Sequence, residues 1–214
     1  MTYQMKALEQ FMAFEGEKYI SPAKAGDFED EMLRFKTLGQ KARASFQALA
    51  KLVAKELPGF NMDRVSQWMN QAQIGRPHFW CYFWEEDGVV ADPTFAIRMK
   101  TLSDGSVGLS VEVSFIERGV EAETIARQNQ VLNQALDAPV YYWVQMNGES
   151  HAESAGNETG RLDLIRRISH GEVRKVLVKY DVPLPLTELT ADKLVIEIMH
   201  GIELLRPSYQ ATKN

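Results

Sequence analysis

Between Asp27 and Leu57 apolar side chains return every three or four positions. At about 100° per residue, Phe35, Leu38, Ala42, Phe46, Leu49 and Val53 fall on one arc about a quarter-turn wide, which predicts a helix with a single buried stripe. Asp27 to Glu31 place acidic groups at its start, where the helix dipole favours them, and Pro58-Gly59 stops it. Upstream, Leu8, Phe11, Met12 and Phe14 predict a short first helix, followed by a loop from Gly16 to Gly26. Downstream, Asn61 is placed to cap a short third helix that carries Trp68 and Met69 and ends at Gly75-Arg76-Pro77.

The period then changes from 3.6 to 2, the mark of entry into a sheet. Residues 78–84, 94–102 and 108–116 read as strands, with Asp104-Gly105 as the hairpin turn between the second and third. The second strand sets Phe95, Ile97 and Met99 against Arg98 and Lys100. The third sets Leu109, Val111, Val113 and Phe115 against Ser110, Glu112 and Ser114, the alternation of an antiparallel sheet with one covered face. Residues 120–136 predict a helix, 140–146 a fourth strand, and 148–160 a polar, mobile loop. Leu162, Ile165 and Ile168 then mark a short helix, and residues 173–182 a fifth strand. Thr190 caps a last helix in which Leu194, Ile198, Ile202 and Leu205 recur until Pro207. The order predicts an α+β fold: an antiparallel meander of about five strands with helices packed mainly on one face. One domain is expected over residues 1–214, mainly helical to residue 75 and sheet plus helices from 76 onward.

Composition narrows the class further. Ten Phe, seven Tyr and four Trp among 214 residues supply enough apolar surface for a packed core, which excludes disorder for most of the chain. No run of about 18 apolar residues occurs, and the first residues carry acidic groups where a signal peptide needs a basic start. No membrane partner and a cytoplasmic location are therefore expected. The one cysteine, Cys81, excludes an internal disulfide, a four-cysteine zinc site and a Cys-x-x-Cys pair, and it is expected to be buried.

The net charge of −5 hides a strong asymmetry. From Met32 to Lys55 stand Arg34, Lys36, Lys41, Arg43, Lys51 and Lys55 with no acidic residue among them. From Arg161 to Lys179 stand Arg161, Arg166, Arg167, Arg174, Lys175 and Lys179 against Asp163 and Glu172. Local fields, rather than net charge, steer polyanions. Arg34, Lys41, Arg43, Lys51 and Lys55, with Arg166, Arg167, Arg174 and Lys175, are therefore candidate phosphate contacts. Nucleic acid is the first partner considered and an acidic protein surface the second, with a merely solvated helix face as the plain alternative.

The aromatic run from His78 to Trp84 divides by period 2 into Phe79, Cys81 and Phe83, which suit the core, and His78, Trp80, Tyr82 and Trp84. Left uncovered, Trp80, Tyr82 and Trp84 beside Arg98 would form a stacking platform or a pocket for a planar ligand. Large apolar strips are more often covered, here by the helix expected to bear Trp68, or by a second copy in a homo-oligomer.

Evidence for catalysis is thin. The chain has no GxGxxG, GxxxxGK[ST], GxSxG or HExxH. His151-Ala152-Glu153 resembles the His-x-Glu element of zinc deaminases, but one cysteine cannot supply the Pro-Cys-x-x-Cys pair that completes it. Cys81 and His78 fall on opposite strand faces, which separates a nucleophile from its base. Asp92 before one strand and Glu112 on the next match part of a divalent-metal nuclease pattern, with Lys100 in place of the usual lysine because Ser114 occupies that position. No cofactor and no metal site are expected. The sequence thus reads as an intracellular binding module without evident catalytic machinery, contacting nucleic acid or another polyanion through a basic helix. The alternatives are a divalent-metal phosphodiesterase and an interaction or oligomerisation module built on the aromatic strand.

Overall fold

The computed structural model describes residues 5–89, 91–102, 105–116, 122–147, 151–183 and 190–213. Among these, helix α1 spans Met5–Met12 and α2 spans Glu29–Glu56. Strands β1 (Phe60–Met62), β2 (Trp80–Glu85), β3 (Thr94–Thr101) and β4 (Val107–Ser114) follow. Helix α3 (Ala122–Asn129), strands β5 (Tyr141–Met146) and β6 (His151–Ala155), helix α4 (Glu158–Ser169), strand β7 (Val173–Asp181) and helix α5 (Ala191–Lys213) complete the order. No helix of the described residues is long and apolar enough to cross a membrane.

The α+β class is as expected, and among the described residues the sheet has seven strands where about five were expected. All neighbours are antiparallel, in the order β1-β2-β3-β4-β7-β5-β6. Only β1 to β4 form a meander. The last strand in sequence, β7, inserts between β4 and the β5–β6 hairpin and so becomes central.

Helix α2 buries the predicted stripe, with Phe35, Ala42, Phe46, Leu49 and Val53 all fully buried. Phe46 stacks on Phe79, and Gly201 of α5 admits the ring of Tyr180, so both helices cover the sheet face that carries Cys81, Ile97, Val111 and Val178. A side chain at Gly201 would place its Cβ 2.4 Å from Tyr180 Cδ1. The close helix–sheet approach therefore requires glycine there.

Four expectations differ from the structure. The third helix over residues 61–75 does not form. Asn61 pairs with Trp84 in β1, and the following backbone bonds to the edge of β2, Asp63 N donating to Tyr82 O at 2.9 Å and Ser66 N to Trp80 O at 3.1 Å. Sheet-edge partners thus replace intrahelical ones. Trp68 consequently sits on the helical side, packed against Tyr19 and Phe35, and covers nothing on the opposite face.

The polar loop expected over residues 148–160 contains strand β6, whose five residues pair with Gln145 to Tyr141, and Asn157, whose side chain caps α4 by accepting from Gly160 N at 3.0 Å. On α4 the buried residue is Leu164, whereas Leu162 and Ile165 are exposed. Helix α5 runs through Pro207 to Lys213, because Tyr209 stacks on Phe95 at 4.5 Å and Thr212 is fully buried beyond it. Tertiary packing outweighs the proline's local cost. Residue 104 of the expected hairpin turn lies outside the described residues.

Candidate functional site

Among the described residues no helix lines the second face of the sheet. Trp80 and Tyr82 of β2, Arg98 of β3, Glu112 and Ser114 of β4, Leu177 and Lys179 of β7, and Trp143 and Gln145 of β5 line a concavity of about 700 Å³. Its rim is completed by Asp63, Arg64, His78, Phe115, Ile116, His151 and Lys175, and no lining residue comes from a helix. The alternation that sends Ile97, Val111, Val178 and Val144 into the core sends Arg98, Glu112, Lys179 and Trp143 to this side.

At its floor lies a carboxylate held by two cations. Glu112 is 1% exposed; its Oε1 accepts from Arg98 Nε at 3.1 Å and Nη2 at 2.8 Å, and its Oε2 stands 3.0 Å from Lys179 Nζ. Register explains the meeting, since Glu112 is paired with Lys179 across β4–β7 and Arg98 lies diagonally across β3–β4. Burial pushes the Glu112 carboxyl up, but Arg98 and Lys179 outweigh it and bring it down to about 2. Burial likewise opposes charge on Arg98, yet Glu112 more than offsets it and raises the guanidinium above its ordinary value.

Aromatic rings flank this row on both sides. Arg76 and Arg98 lie over the Trp80 ring at 4.8 and 5.3 Å, and Lys179 lies over the Trp143 ring at 4.3 Å. His151 stacks on Trp143 with centroids 4.1 Å apart, and His78 stands 5.5 Å from Trp80. Burial first, and then Arg98, brings His78 down to about 4, so its ring is neutral at neutral pH. A neighbouring polar cluster joins Lys100 to Asp181, with Tyr141 donating to Asp181 at 3.1 Å and Glu153 at 3.8 Å from Lys100.

Of the stacking candidates, Trp80, Tyr82 and Arg98 line the concavity, whereas Trp84 lines a separate cavity of about 100 Å³ with Asp92 and Thr94. Among the basic candidates, Lys175 is on its rim. Arg174 donates to Gln145 at 2.7 Å, Arg166 pairs with Asp163 at 2.9 Å, and Arg167 with Glu172 at 3.4 Å. Arg34, Lys41, Lys51 and Lys55 are exposed on α2, across the sheet from the concavity, while Arg43 is tied to the carbonyls of Val65 and Ser66 at 3.0 and 3.1 Å. Of the second basic segment, Lys175 therefore lies on a different surface from the exposed basic residues of α2.

The three residues of the nuclease pattern are also not brought together. Asp92 accepts from Val89 N at 2.9 Å and pairs with Arg127 at 3.3 Å, Glu112 is held by Arg98 and Lys179, and Lys100 by Asp181. Lys100 lies four residues along β3 from Ala96, the register partner of Glu112; at about 3.3 Å per residue this is about 13 Å. Among the described residues no group of three His, Cys, Asp or Glu gathers as a metal would require.

Sequence reasoning missed Trp143, Lys179, Arg64 and Arg76 as site residues, and weighed His151 only as part of an element resembling that of zinc deaminases. The alternation of Tyr141, Trp143 and Gln145 against Tyr142 and Val144 was the available signal, but its meaning depended on β5 pairing with β7.

Fold and site together define an α+β protein with an open antiparallel sheet face that carries a cation–aromatic concavity. The chain matches no protein-family model, no curated protein and no solved structure.

Proposed function

We propose that the protein is a binding module that holds nucleic acid against the second face of its sheet. The observation that carries this reading is the concavity itself. In a chain of net charge −5, the described lining sets the cations Arg64, Arg98, Lys175 and Lys179 beside the carboxylates Asp63 and Glu112 in a recess walled by tryptophan. Arg64 is exposed on the rim, where its guanidinium can meet phosphate, and Arg76 donates to Met69 O at 3.3 Å while lying over Trp80. Phosphate contacts fix position and orientation without reading sequence.

The exposed lysines of α2 offer a second polyanion surface, and the two are separable. Fluorescence anisotropy with labelled oligonucleotides over a salt series gives a line of log affinity against log salt whose slope counts the contacts. Arg64→Glu with Lys175→Glu is expected to lower affinity and flatten that slope by about two. Lys51→Glu with Lys55→Glu is expected to leave both unchanged. The opposite pattern would move the site to α2, and absence of binding at low salt would reject the reading. Nothing in the placement of Asp92, Glu112 and Lys100 favours the phosphodiesterase alternative.

A further inference from the structure

Resting on that reading, we propose that the ligand is single-stranded nucleic acid, bound with unpaired bases against the Trp80 and Trp143 walls and its backbone crossing the Arg98–Lys179 row. Each wall gathers planar groups around a tryptophan: the Arg76 and Arg98 guanidiniums and the tilted His78 ring beside Trp80 on one side, and His151 stacked on Trp143 on the other. Bases stack on aromatic rings and on guanidinium planes alike, but only where they are not already stacked and paired with one another. A duplex hides those faces and presents a convex cylinder of phosphates and groove edges. Its major groove accepts a helix or a two-stranded ribbon, and neither describes a recess set within five strands. Phosphate alone would have no use for the tryptophan walls.

The span also fits. Trp80 on β2 and Trp143 on β5 are four strand steps apart in the sheet, at most about 19 Å at about 4.8 Å per strand. A stacked strand rises about 3.4 Å per nucleotide, so about six nucleotides reach from wall to wall.

The test is anisotropy with the full chain, using labelled single strands of about three, six and twelve nucleotides, a duplex of about twelve pairs and an abasic strand of about twelve. Affinity is expected to rise steeply to about six nucleotides and then level. Duplex and abasic strand are expected to bind at least about tenfold more weakly than the matching single strand, the ratio that one lost base stack gives. Trp143→Ala is expected to remove the same factor for the single strand and nothing for the abasic one, and His151→Ala, which alters the wall from outside the core, repeats the test should Trp143→Ala misfold.

Equal affinity for duplex, abasic and single strands would overturn the single-strand proposal while leaving phosphate binding by this face intact. Failure of every probe to bind would remove both. Sedimentation showing a dimer that Trp143→Ala dissociates would instead assign the face to a second copy of the chain.

Discussion

Glu112 decides the character of the site. A carboxylate 1% exposed between Arg98 and Lys179 is stable only because both cations are there, and each of them is desolvated in turn. Replacing it by Gln keeps the shape and removes the charge. We expect Glu112→Gln to lower stability by about 2 kcal/mol, read as a shifted urea midpoint, and to raise polyanion affinity because one carboxylate has left the recess. Unchanged stability with unchanged affinity would contradict the role given to Glu112.

The pH response follows from the same residues. Unfolded His78 titrates at its ordinary 6.5 and folded His78 at about 4, lowered by burial, Arg98, Lys179 and Arg76 and opposed by Glu112. Between those values the unfolded chain binds more protons, so stability falls as pH is lowered from 6.5 to about 4. Glu112 carries the loss further, from its ordinary 4.5 to about 2. Denaturant midpoints across the upper window are expected to fall in the wild type and to flatten in His78→Phe; equal slopes in both would exclude His78 as the cause. In the sequence, period 2 already separated Glu112 from Val111 and Val113. It could not reveal burial, because the cation that closes over Glu112 from one side lies on β7, far along the chain.

Elements with strong periodicity were legible and those governed by their neighbours were not. Helix α2 keeps its stripe and its stop at Pro58-Gly59 because both are local. Residues 61–75 and strand β6 escape a local reading because many of their hydrogen-bond partners lie elsewhere: on β2 and residues 16–19 for the first, on β5 for the second. Pro207 marked a helix end by a rule that the stacking of Tyr209 on Phe95 overrides. Glycine in a helix usually gains about 1 kcal/mol when replaced by alanine. At Gly201 the new Cβ would meet Tyr180 at 2.4 Å, and at Gly39 it would meet Trp68 at 2.7 Å. Gly201→Ala and Gly39→Ala are therefore expected to lose stability, by about 1–3 kcal/mol. A raised thermal midpoint in either would contradict the close approach of α5 to the sheet or of Trp68 to α2.

At the scale of the whole molecule, one sheet separates two surfaces of different chemistry. Helices α2 and α5 cover the apolar face, and the basic residues of α2 lie beyond them. The polar and aromatic residues of β2, β3, β4, β5 and β7 make the other face. That separation was foreshadowed by the alternation in β2 to β4. Its consequence, a recess with two tryptophan walls, required the strand order that inserts β7.

Ligand bound to this face would be reported by the four tryptophans individually. In a nitrogen-edited proton spectrum each indole N–H gives its own signal. Titration with a single strand of about six nucleotides is expected to shift the Trp80 and Trp143 signals and to leave that of Trp68, packed behind the sheet against Tyr19 and Phe35, in place. Binding that leaves Trp80 and Trp143 unmoved would contradict the assignment of the site to the open face.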